Sequence, residues 1–145
     1  MSAKSADEIL GAEHDWLGCD AGGQVALFST AGGGYAPDEF LRDTAAHAKA
    51  IEAILARRAT TAVRFAPELA PQYVNTWRLV AERGLYAFDA DFSAGPYRLV
   101  AAPVVAAGFD ELPTAAVAVL RSVTFRQLRF ADLTAVPGQA LRQGR

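Results

Sequence analysis

Apolar residues recur at helical spacing over residues 37–58, and this is the clearest element in the pattern. Five of them form a stripe on one helical face: Leu41, Ala45, Ala48, Ile51 and Leu55. A proline and two acids at the start of the segment suit the first turn of a helix, where negative charge complements the helix dipole. Shorter stripes predict a second helix from Pro67 or Pro71 to Gly84 and a third over 112–122.

Other segments have the β-branched and aromatic content that is typical of strands. They cover residues 14–20, 24–30, 59–65, 85–92 and 96–102, with a last strand or irregular segment over 124–130. The sequences Ala21-Gly22-Gly23 and Ser93-Ala94-Gly95 are typical of tight turns, so we expect two hairpins. The pattern predicts an α+β fold: a mainly antiparallel sheet built from two hairpins, with two long helices and one short helix packed on it.

The length and composition of the chain predict one domain. A chain of 145 residues can bury about two-thirds of its surface on folding. Hydrophobic residues make up 52% and charged residues 21%, which argues against a disordered chain. We expect a single globular α+β domain over residues 1–136. Residues 137–145 offer one apolar anchor, Leu141, and are predicted to form a mobile C-terminal tail.

Charge and cysteine content indicate the compartment and exclude some partners. The net charge of −2 disfavours nucleic-acid binding through overall basicity. The single cysteine excludes an internal disulfide and suits a reducing compartment. No signal peptide is indicated, and the longest apolar stretch, 99–109, is shorter than the roughly 20 residues of a membrane helix. We therefore expect a cytoplasmic protein with no membrane or nucleic-acid partner.

The nucleophilic and metal-ligating residues do not form a complete set. Cys19 and His14 would make a thiol–imidazole pair, but in one strand their side chains point to opposite faces. A buried thiol that behaves as a small apolar side chain is the simpler interpretation. One cysteine and two histidines 33 residues apart provide no zinc spacing. We predict no metal and no cofactor.

A glycine-rich segment, 32–34, leads into the predicted first helix. Such a loop can hold a phosphate on its backbone N–H groups. The two acids at the helix start oppose an anion there, and no Gly-Lys-Ser follows the glycines. We interpret the loop as mobile and as an interaction surface, with Gly33, Gly34 and Tyr35 as binding residues.

Two pairs of acids are further candidates for binding. Asp89 and Asp91 share one face of a strand next to a turn, where such a pair can bind a divalent cation or share a proton. A metal site needs more ligands than these two, and acids at a strand end commonly face water. Asp15 and Asp20 form the acidic edge of the first hairpin, which we predict to lie at the contact surface.

Two stretches resemble a known group of proteins. They are residues 15–34, DWLGCDAGGQVALFSTAGGG, and a set that comprises GLYAFD at 84–89, PYRLVAAP at 96–103 and Leu112-Pro113. These stretches resemble small uncharacterised bacterial α+β proteins, some of which are similar to immunity proteins of toxin systems. The resemblance implies a cytoplasmic, non-enzymatic domain with a protein partner, and it assigns no catalytic residue.

The sequence thus predicts a non-catalytic cytoplasmic protein-binding domain, for which the resemblance implies the toxin-immunity type. The alternative is a small-ligand-binding domain or a small enzyme with a site near Asp89, Asp91 and the 32–34 loop. A homodimer formed through an edge strand is a third interpretation.

Overall fold

A mixed β-sheet with helices on its faces forms the centre of the protein. The computed structural model describes residues 3–9, 13–65, 75–90 and 95–143. The strands are β1 (Asp15–Asp20), β2 (Val25–Ser29), β3 (Val63–Phe65), β4 (Tyr86–Asp89), β5 (Tyr97–Pro103), β6 (Thr124–Phe125) and β7 (Ala135–Val136). The helices are α1 (Ala6–Ile9), α2 (Asp38–Arg42), α3 (Thr44–Leu55), α4 (Thr76–Ala81), α5 (Thr114–Leu120) and α6 (Gly138–Gln143). Short 3-10 turns lie at Phe109–Glu111 and Phe130–Asp132.

The sheet combines parallel and antiparallel pairs, in the order β3-β5-β4-β2-β1-β6, with β7 also paired to β5. The pairs β1–β2, β4–β5, β3–β5 and β5–β7 are antiparallel, whereas β2–β4 and β1–β6 are parallel. The α+β class is confirmed, but the prediction of a mainly antiparallel sheet built from two hairpins is wrong at the central β2–β4 pair.

The parallel pair follows from burial on both faces of the sheet. Every residue of β2 is buried, and so are Tyr86, Ala87 and Phe88 of β4. The chain between them, which includes α2, α3, β3 and α4, makes the crossover that parallel neighbours require. The unbroken apolar run Val25-Ala26-Leu27-Phe28 is typical of such a doubly covered strand. Our hairpin interpretation did not use that signal.

The helix predicted over 37–58 is interrupted at Asp43. Its carboxylate accepts a hydrogen bond from the Ala46 N–H and caps α3, while its non-helical backbone, with φ of −152° and ψ of 78°, ends α2. The break separates a 5-residue α2 from a 12-residue α3. α3 is the longest helix in the described ranges, and none of the helices there is long and apolar enough to cross a membrane.

The second predicted helix is shorter within the described residues. Its predicted starts at Pro67 and Pro71 lie outside them, and α4 has six residues, capped by the Asn75 side chain. The left-handed conformation predicted for Gly84 is confirmed, with φ of 97°. A Cβ atom there would lie 2.6 Å from the Ala107 Cβ, so the position has no space for a side chain.

One face of the sheet carries an aromatic cluster. Among the described residues, its eight buried aromatic members are Trp16, Phe28, Phe40, Tyr86, Phe88, Tyr97, Phe125 and Phe130. Trp16 stacks on Phe28 with ring centroids 4.1 Å apart, and its indole N–H donates to the Tyr97 hydroxyl, 3.1 Å away. Residues of α1, α2 and α6 extend this cluster. On the opposite face, Leu17, Val25, Leu27 and Ala87 pack with α3, α4 and α5.

The segment predicted as a mobile tail contains a helix. Residues 138–143 form α6, and Leu141 has no exposed surface. Burial of this one apolar side chain in the aromatic cluster anchors the segment. The prediction gave too little weight to a single well-placed leucine.

Candidate functional site

Three polar residues lie side by side where the central parallel strands end. Asp15, Ser29 and Asp89 occupy neighbouring register positions on β1, β2 and β4. This is the carboxyl end of β2 and β4, the edge at which open α/β sheets commonly place their sites. Asp15 and Asp89 were predicted as separate candidates, because nothing in the sequence indicated that β2 and β4 are neighbours.

Ser29 links β1 to α4 through a short chain of hydrogen bonds. Its hydroxyl donates to Asp15 Oδ1 over 2.6 Å and accepts from the Trp77 indole N–H over 3.0 Å. Ser29 is buried, so a substrate has no access to the hydroxyl. The chain therefore fixes α4 to the sheet and does not activate a nucleophile.

The Asp15 carboxyl has two environments. Burial raises its pKa, although the Ser29 hydrogen bond and the charge of His14 act in the opposite direction. The residue is only half-buried, and it also lines an open groove on the surface. Asp15 is therefore the part of this polar row that a partner can reach.

That groove, which we call the acidic groove, runs between the start of β1 and the outer side of α3. Its volume is about 460 Å³. It is lined by Glu13, His14, Asp15, Phe40, Thr44, Ala45, Ala48, Ile51, Glu52 and Leu55. Three carboxylates thus surround a largely apolar floor, and the described lining contains no lysine or arginine.

Asp20, which we predicted at the contact surface, is buried and bonded to the backbone. Oδ1 accepts hydrogen bonds from the Gly22 and Gln24 N–H groups, and Oδ2 accepts one from Phe130 over 2.8 Å. The carboxylate closes the β1–β2 turn and ties the C-terminal segment to it. Asp20 therefore does not form an acidic edge with Asp15, which lies at the opposite end of β1.

The glycine-rich loop is held by its own hydrogen bonds. The Gly33 and Gly34 N–H groups both donate to the Thr30 carbonyl oxygen, so they do not point outward to hold an anion. A Cβ atom on Gly34 would lie 2.7 Å from the Tyr97 hydroxyl, which explains the glycine there. The Tyr35 carbonyl accepts from that hydroxyl, and the Arg142 guanidinium lies over the Tyr35 ring at 4.8 Å. Tyr35 is accordingly only partly exposed.

Only one member of the predicted pair Asp89 and Asp91 lies within the described residues. Asp89 is half-buried at the end of β4, and Asp91 lies outside the described ranges. Within those ranges, no group of three or more histidine, cysteine, aspartate or glutamate side chains is placed to hold a metal ion.

The residues considered for nucleophilic chemistry are separated. Cys19 is buried, and burial together with the nearby Asp20 charge raises the pKa of its thiol to about 11. His14 lines the acidic groove, whereas His47 is buried and its Nδ1 accepts the Leu17 N–H over 3.1 Å. Cys19 therefore stays a thiol at neutral pH, and His47 has a structural role.

Comparison with known proteins gives no assignment. No protein-family model, curated protein or solved structure matches the chain. The acidic groove and the chemistry of its lining are consequently the features that bear on function.

Proposed function

We propose that this chain is a non-catalytic cytoplasmic protein-binding domain, and that it binds a basic segment of its partner in the acidic groove. The observation that carries the proposal is the set of three carboxylates, Glu13, Asp15 and Glu52, around an apolar floor. Lysine and arginine side chains fit such a groove, because their aliphatic stems pack on apolar surface while their charged ends meet the carboxylates.

The state of the other polar groups supports a role without catalysis. Cys19, Ser29 and His47 are buried, and each is a poor candidate for reaching a substrate. The Asp20 carboxylate accepts three backbone hydrogen bonds. Catalysis requires a nucleophile or base within reach of a bound substrate, and these four residues do not meet that requirement.

The resemblance to immunity-type proteins supports a protein as the partner. Recognition through an open charged groove suits such a role, because complementary charge speeds association and selects the partner. A cytoplasmic location is consistent with one buried cysteine that needs no disulfide partner.

A different protein is favoured over a second copy of this chain. A second copy that docked symmetrically, through the same face, would bring its own acids to the acidic groove, where they would repel. Pairing through an edge strand is also disfavoured, since β6 and β7 have two residues each and β3 has three. Among the described residues, β6 pairs only with Cys19 and Asp20 of β1. Farther along the same edge of β1, the Leu17 N–H is already used, because it donates a hydrogen bond to His47 Nδ1.

The proposal is tested by affinity capture with matched charge reversals. The wild-type chain, a Glu13→Lys/Glu52→Lys variant and an Asp110→Lys control are immobilised and exposed to extract of the source cells. Asp110 is exposed and does not line the acidic groove. Captured proteins are identified by mass spectrometry, and their affinities are then measured with purified material.

We expect a basic partner that binds the wild type and the Asp110→Lys control, with affinity for the groove variant reduced at least about tenfold. Added salt should weaken the complex, because exposed charges are screened. A partner that binds the groove variant as tightly as the wild type contradicts the proposal, as does capture of no specific protein.

A further inference from the structure

A second groove, on the aromatic face of the sheet, differs in charge from the acidic groove. It lies where β3, β5 and the segment before β7 meet, and its volume is about 440 Å³. This volume is within the range of small-molecule sites, about 300–1,000 Å³. Two arginines, Arg64 and Arg98, line it, so we call it the arginine groove.

The arginines are available to an anion. Both are exposed, and neither forms an ion pair within the described part of the chain. No aspartate or glutamate is among the described residues that line the groove. Arg64 pairs with Ala102 in the sheet, four residues from Arg98, so the two positions are about 13 Å apart along β5.

Tyr86 provides a polar group that the fold does not use. The residue is 6% exposed and lines the groove, and its hydroxyl has no hydrogen-bond partner in the described ranges. Since the hydroxyl makes no bond within the described fold and is not one of its fully enclosed polar atoms, it is open to solvent in the groove, where a ligand can reach it. Burial raises its pKa, so the hydroxyl remains a donor at neutral pH. Asp20 and Asp132 are near enough to influence the phenol, but neither lines the groove.

Apart from Thr134, the rest of the groove is apolar. Leu99 and Ala102 of β5 line one side, and Phe130, Ala131 and Ala135 line the other. A bound molecule would therefore contact cationic and hydroxyl donors near β3 and apolar side chains along β5 toward Arg98.

We propose that the arginine groove binds a small organic anion, whose carboxylate or phosphate is held by Arg64 and Tyr86 and whose apolar body lies along β5. Guanidinium pairs with both groups through two parallel N–H···O bonds. The site lies apart from the acidic groove and shares no lining residue with it. It would give the protein a ligand-binding role that does not depend on the partner proposed above.

The test uses benzoate and phenyl phosphate as probes. Two control compounds accompany them: benzamide, which has the phenyl ring without a negative charge, and inorganic phosphate, which has the charge without the ring. Binding is followed by ¹H–¹⁵N chemical shifts, which also locate the site. The variants are Arg64→Ala, Arg98→Ala and Tyr86→Phe, with Arg121→Ala as a control for loss of one exposed positive charge. Arg121 is exposed at the end of α5 and does not line the groove.

We expect the two organic anions to bind more tightly than benzamide or inorganic phosphate. Their binding should change the amide chemical shifts of residues 99 and 131–135. Arg64→Ala should weaken binding about tenfold and Tyr86→Phe a few-fold. Arg98→Ala should weaken it a few-fold through loss of positive potential, and Arg121→Ala should not change it. Equal binding of benzoate and benzamide, unchanged affinity in Arg64→Ala, or no shift in the groove with any probe would overturn the proposal.

Discussion

At the scale of single residues, buried polar side chains accept hydrogen bonds from backbone N–H groups that have no partner in the sheet. Asp20 does so at the end of β1, where its carboxylate accepts hydrogen bonds from three N–H groups. His47 does so at the edge of β1, where Nδ1 accepts the Leu17 N–H. Only the neutral imidazole has an acceptor nitrogen for this bond. We predicted that Asp15 and Asp20 form one acidic edge, because the pattern of residues along β1 cannot indicate that Asp20 would bond to Phe130, 110 positions later.

His47 makes the stability of the fold depend on pH. Burial lowers its pKa from 6.5 to about 4, and the opposing effect of the Asp43 charge is smaller. Above pH 6.5 the imidazole is neutral in both the folded and the unfolded chain. As the pH falls from 6.5 to 4, the unfolded chain takes up the proton first, so the free energy of unfolding decreases. The loss should reach about 3 kcal/mol below pH 4.

Urea unfolding of the wild type and of His47→Gln, measured from pH 7 to pH 4, checks this prediction. The variant lacks the titrating group, and carboxylates that titrate in the same range affect both proteins. The free energy of unfolding of the wild type should therefore decrease relative to that of the variant as the pH falls, by about 3 kcal/mol in all. Two curves that run parallel over this range would contradict the assigned role of His47.

At the scale of elements, local sequence signals located most segments, and long-range contacts decided how they pair. Strands near 15–20, 25–29 and 86–89 were expected from their apolar content and flanking turns, and Gly84 marked the end of α4. The break at Asp43 was missed because the apolar stripe continues through it. The parallel β2–β4 pair was missed because strand direction depends on a crossover whose path the local pattern does not specify.

The C-terminal helix α6 shows how one contact can order a polar segment. Leu141 is fully buried, whereas Gln139 on the same helix is exposed. Leu141→Ala should lower the free energy of unfolding by about 2–4 kcal/mol, since it removes a buried side chain and leaves a cavity. Gln139→Ala, the control, should change it by less than about 0.5 kcal/mol. Chemical denaturation of both variants measures the effect, and a wild-type stability for Leu141→Ala would show that α6 is not docked in solution.

At the scale of the whole molecule, the protein carries two grooves of opposite charge that share no described lining residue. The acidic groove is built from residues 13–15 and 40–55, and the arginine groove from β3, β5 and the segment 130–135. Neither set is contiguous in sequence, so composition and spacing could not reveal them. The sequence did indicate Asp15, while Glu13, Glu52, Arg64 and Tyr86 carried no local motif and became visible only when the fold brought them to a groove.

This separation predicts that the two binding functions are energetically independent. Exposed charges farther apart than a Debye length, about 8 Å at physiological salt, interact weakly, and effects of substitutions at distant sites without shared contacts add. The Glu13→Lys/Glu52→Lys variant should therefore bind benzoate within about twofold of the wild type, and Arg64→Ala should bind the protein partner within the same margin. For each of the two ligands, the loss of binding free energy in the combined variant should equal the sum of the losses in the two separate variants. Calorimetric titrations at 0.15 M salt test this, and a combined variant that departs from that sum by more than about 0.5 kcal/mol would show that the grooves form one coupled site.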